Sequence, residues 1–82
     1  MPKQKELSIE QLERKIKSLK TKRETSYRLL AETEAIKNPK QPLVKQTDIA
    51  MHRFDIANLN AEIMIYEEKL RKAVTEAQNQ PQ

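Results

Sequence analysis

The sequence predicts an all-α chain, an antiparallel helical hairpin of the coiled-coil type that dimerises into a four-helix bundle. Three observations carry this expectation. Apolar residues recur at heptad core positions over two helix-length segments. A short stretch with two prolines, Pro39 and Pro42, separates those segments. The second segment carries a further apolar stripe that a single hairpin leaves uncovered.

Residues 1–7 (MPKQKEL) read as a loose arm. Ser8 then has the character of an N-cap, and Gln11, three residues on, completes a capping box. Leu7 precedes the cap and is placed to staple onto Leu12. Glu10 and Glu13 put negative charge at the positive end of the helix dipole. Helix one is expected from Ser8 to about Lys37, with core positions Ile9, Leu12, Ile16, Leu19, Arg23, Ser26, Leu30 and Thr33. The stretch Lys20–Ser26 has no aliphatic residue. Arg23 there either snorkels, stem packed and charge in water, or marks a register or binding device.

Residues 38–46 (NPKQPLVKQ) are the expected connection. Asn38 suits a left-handed cap, and Pro39 opposes continuation of the helix. Leu43 and Val44 are apolar and are expected to cover the open end of the bundle. Thr47 is the expected N-cap of helix two, with Pro42 as first helical residue the alternative. Helix two is expected to end near Gln78, leaving 79–82 as a disordered tail. Its core positions are Ile49, His52, Ile56, Leu59, Ile63, Tyr66, Leu70, Ala73 and Ala77.

With the turn near Pro42, antiparallel partners have residue numbers summing to roughly 84–87. Leu30 then faces Ile56, Ile16 faces Leu70 and Ile9 faces Ala77. Lys22 falls opposite Glu62, Lys20 opposite Glu67 and Glu34 opposite Arg53, all attractive. Lys15 opposite Lys69 is repulsive.

The second stripe is Ala50, Phe54, Ala57, Ala61, Met64 and Ile65, widened by Met51. An uncovered apolar face of that length is a contact surface. With no cysteine for a disulfide and a chain this short, self-association is the ordinary route to stability. These six residues are therefore the expected oligomer interface.

Composition excludes several classes. Glycine is absent, so no phosphate-cradling loop exists. The only histidine is His52, read as a hydrogen-bonded seam residue, with a pH-responsive or ligand role as the alternative. No catalytic residue, metal ligand or cofactor site assembles, and no enzymatic activity is expected. No run of 18 apolar residues exists, so no membrane span is expected. The lysine-bearing N-terminus lacks the apolar segment of a secretory signal, and a cytoplasmic protein is the default.

Net charge is +4, from sixteen basic and twelve acidic residues. Residues 1–24 hold eight basic and four acidic groups, which concentrates the excess at the front. Arg14, Lys15, Lys17, Lys20, Lys22 and Arg23 are the candidate nucleic-acid contacts. No recognition helix, zinc knuckle or aromatic platform accompanies them. The expected function is a non-catalytic protein–protein interaction module, a small scaffold, adaptor or inhibitor acting through helical surfaces on another protein. The competing expectation is a basic dimer that binds nucleic acid mainly through phosphates.

Overall fold

The computed structural model describes residues 7–79. Residues 1–6 of the expected arm 1–7 and residues 80–82 of the expected tail 79–82 lie outside the described residues; Asn79, expected in the tail, is the last residue of the second helix. Two helices, α1 (Ile9–Glu34) and α2 (Pro42–Asn79), pack antiparallel as an elongated hairpin of 65 × 28 × 14 Å.

α1 starts as its sequence dictates. The Ser8 hydroxyl accepts from the Gln11 N–H at 3.1 Å, and the Ser8 N–H donates back to Gln11 Oε1 at 2.9 Å. Two orphan donors of the first turn are thereby satisfied. Leu7 and Leu12 line one dimple at the open end, as a staple would.

The connection differs from expectation. It occupies residues 35–41, not 38–46. α1 stops at Glu34, three residues before Lys37, with Ala35 in an ordinary right-handed conformation. No residue with positive φ occurs among the described residues, so Asn38 is not a left-handed cap. Lys45 replaces that device. Its ammonium donates to the Glu34 carbonyl at 3.4 Å and to the Ile36 carbonyl, placing a cation at the negative end of α1. α2 begins at Pro42, whose missing N–H is no loss in a first turn. The Gln41 carbonyl accepts from the Val44 and Lys45 N–H groups. Thr47 lies inside the helix and donates to the Leu43 carbonyl at 2.9 Å, so it is not the cap.

This early start makes α2 the longer helix, 38 residues against 26. Glu34 sits level with Arg53, so α2 overshoots α1 by about 16 Å at the loop end. Seven helical residues rise only about 10 Å. The connection must therefore leave the helix to climb that overshoot. Leu43 and Val44 lie on the overshoot and cover nothing; Leu43 is 78% exposed.

The seam follows the heptads. Leu12, Ile16, Leu19, Ile56 and Ile63 are buried. Ile9, Arg23, Ser26, Leu30, Thr33, Ile49, His52, Leu59, Tyr66, Leu70 and Ala73 are half-buried along the same line. Ala77 is exposed, and Val74 is half-buried near the end of the seam. A straight helix drifts about 20° per heptad from a 3.5-residue repeat. Four heptads after Ile49, that drift has carried Ala77 off the seam and brought Val74 onto it.

Candidate interaction surface

The register places Lys20 Nζ 3.4 Å from Glu67 and Arg53 3.4 Å from Glu34. Both pairs have residue numbers summing to 87, as the antiparallel reading requires. Lys22 and Glu62 border one groove with Ser26 and Leu59, and among the described residues they form no ion pair. Lys15 and Lys69 are not left in simple repulsion. Both ammonium groups lie over the Tyr66 ring, at 5.7 and 5.1 Å from its centroid. The electron-rich ring face offsets part of their mutual repulsion. Tyr66 was legible only as a core position; its role between two cations was not.

Arg23 does more than snorkel. Its guanidinium donates to Asn60 Oδ1 at 2.9 Å, a partly buried bond across the seam. Asn60 carried no signal in the heptad pattern, since it lies one place outside the core positions. His52 is half-buried on the seam, and among the described residues no side-chain hydrogen bond to it is formed.

The six candidate nucleic-acid contacts on α1 separate into two groups. Arg14 is bonded to Glu10 at 2.7 Å, Lys15 rests over Tyr66, Lys20 meets Glu67 and Arg23 meets Asn60. Lys17 and Lys22 are exposed and, among the described residues, form no ion pair. Four of the six are thus engaged within the hairpin.

The stripe on α2 has the opposite character. Ala50, Phe54, Ala57, Ala61, Met64 and Ile65 are all exposed. Phe54 is 66% exposed and Met64 70%. Met51 flanks them, and Leu43 and Val44, also exposed, extend the face toward the loop. At about 100° per residue, the crest of this face lies some 150° around α2 from the Ile56–Ile63 seam. α1 therefore cannot reach it. The face ends at Glu68 and Arg71, which pair with each other, Arg71 Nε donating to Glu68 Oε2 at 3.0 Å. That hydrogen bond holds the Glu68 carboxyl below its ordinary range and raises the Arg71 guanidinium.

Among the described residues, no group of three or more His, Asp or Glu side chains is arranged to hold a metal ion. No helix there is long and apolar enough to cross a membrane. No family model, curated protein or solved structure matches this chain.

Proposed function

We propose that this hairpin is a non-catalytic protein–protein interaction module whose working surface is the outer face of α2, and that it self-associates through that face. The observation that carries the reading is the exposed row from Leu43 to Ile65, polar at Gln46 and Thr47 and centred on Phe54, Ala57, Ala61 and Met64. Large apolar side chains in one row on one helix face are a contact surface, whereas singly scattered ones carry no such meaning. The small seam supports self-association too. Among the described residues, five buried side chains are a slender core, and covering the second face of α2 adds burial. The near-opposite placement of seam and stripe favours an assembly with two α2 helices in the middle and an α1 helix outside each. Such a four-helix assembly is closer to a layer than to a square bundle.

Light scattering coupled to size exclusion tests this reading. A mass near two chains, or a larger even number, is expected at high micromolar concentration. A mass of one chain there contradicts it. Elution volume alone is a poor substitute, because a 65 Å hairpin elutes early. The competing reading, phosphate contact by the basic cluster, rests on Lys17 and Lys22 once the engaged cations are set aside. A mobility shift on duplex DNA at about 50 mM salt, abolished by Lys17→Ala with Lys22→Ala and steeply salt-dependent, would favour it instead.

A further inference from the structure

The exposed face of α2 has a crest and two unlike flanks, and the flanks define how a second copy fits. Phe54, Ala57, Ala61 and Met64 form the crest. Met51, Asn58 and Ile65 run along one flank. Arg53, Asn60 and Glu67 run along the other, beside α1, where they meet Glu34, Arg23 and Lys20.

We infer that this face receives a second copy of the chain with the two α2 helices antiparallel, Ala57 of each lying against Ala61 of the other. The inference rests on the self-association proposed above and adds its orientation and register. In an antiparallel pair, related by a two-fold axis across the helices, each flank meets its own counterpart. In a parallel pair each flank meets the other one.

The antiparallel pairing matches like with like. Phe54 meets Met64 of the second copy, and Met51 meets Ile65, each contact occurring twice. Asn58 and Asn60 each lie beside their own counterparts at the axis. Arg53 meets Glu67 of the second copy. Lys20 and Glu67 of one chain then continue into Arg53 and Glu34 of the other, a row of four charges of alternating sign, also formed twice. The parallel pairing sets Asn60 against Ile65 and Met51 against Gln46, polar on apolar. Sliding the antiparallel pair by one heptad, with Phe54 on Ala57, sets Met51 against Asn58 and leaves Glu67 facing Gln46.

Area gives the flanks their weight. Leu43 to Ile65 spans about 35 Å on a helix about 10 Å across, a flat footprint on the order of 350 Å². A standard interface takes about 800 Å² from each partner. The crest alone falls short, so the flanks belong to the contact and their matching selects the orientation.

The absence of cysteine makes the test direct. Asn58→Cys, Leu43→Cys and Thr75→Cys are made singly, and each is oxidised mildly at a concentration where scattering gives two chains. In the inferred register, two copies of position 58 lie beside the axis, whereas two copies of position 75 are about 48 Å apart. Asn58→Cys should cross-link at least about tenfold faster than Thr75→Cys, since a disulfide needs Cα atoms within about 7 Å. A mixture of Leu43→Cys and Thr75→Cys chains should give the mixed species, with neither chain linking to itself. Self-linking by Thr75→Cys as fast as, or faster than, by Asn58→Cys would show a parallel pair, in which the crest position 75 meets its own copy and the flank position 58 does not, and would overturn the inference. A dimer in which no variant links, or in which the mixed species is missing, overturns the register. In either case the self-association stands. A one-chain mass for the parent protein removes both readings together.

Discussion

Ile63 and Met64 are neighbours in the chain, yet the first is 2% exposed and the second 70%. The same contrast runs the length of α2. Its seam face, through Ile56 and Ile63, is buried against α1. Its outer face, through Phe54 and Met64, is as apolar and is closed by nothing in the hairpin. Hydrophobic burial has no direction of its own. The two faces differ because only one partner helix is available and it already lies against the seam. The seam therefore holds the fold, and the outer face is the surface we propose for contact with other molecules.

Substitutions that separate the faces should separate folding from assembly. The largest effect is expected at the seam. Ile63→Ala should cost about 2–5 kcal/mol, the usual range for emptying a buried aliphatic position, and helicity by circular dichroism should fall. A variant as stable as the parent would mean that Ile63 is not core. Next is the polar crossing of the seam. Arg23→Ala leaves Asn60 partly buried without its donor and should cost about 1–3 kcal/mol in denaturant unfolding. Replacing Arg23 and Asn60 together by Leu should recover most of that loss, because apolar pairs often match buried polar ones. Smaller still is the start of α1. Ser8→Ala removes the cap and should cost about 1 kcal/mol, while Ser8→Asp should cost little.

The smallest effect lies at the end of the outer face. The folded Glu68 carboxyl sits below its ordinary range because Arg71 hydrogen-bonds it. The ionised form is thus favoured by folding, and its contribution is present above the ordinary glutamate range. That contribution is lost as pH falls through the depressed folded value. The pair is fully exposed, so a thermal scan between pH 3 and 6 should differ only slightly between the parent and Arg71→Gln. A large difference would place this pair in a buried contact.

Much of this was legible in the sequence, for definite reasons. Every core position of α1 that the heptads named is buried or half-buried, because periodicity reports directly which residues share a face. Ser8 and Gln11 announced the cap because a capping box is local chemistry. The Lys20–Glu67 and Glu34–Arg53 pairs followed from one register. What could not be read depended on contacts between distant residues or on where the chain turned. Lys45 caps α1 from another helix, so Asn38 looked like the natural stop. Pro42 and Thr47 both suit a helix start, and local preference does not rank them. Tyr66 between two lysines, and Asn60 under Arg23, needed the helices side by side. Of the candidate site, the six stripe residues were legible as a face. That four of the six candidate cations on α1 are engaged within the hairpin was legible only in part, through Lys20 and its Glu67 partner.

The central claim is that the outer face of α2 makes the contact while the seam holds the hairpin. Phe54→Asp tests it most directly, measured by light scattering and circular dichroism on the same sample. The account predicts that helicity is largely kept while the mass falls from two chains toward one, because the charge is stranded on a face that must be dry to associate. A variant that assembles as well as the parent, at the same concentration, would contradict it.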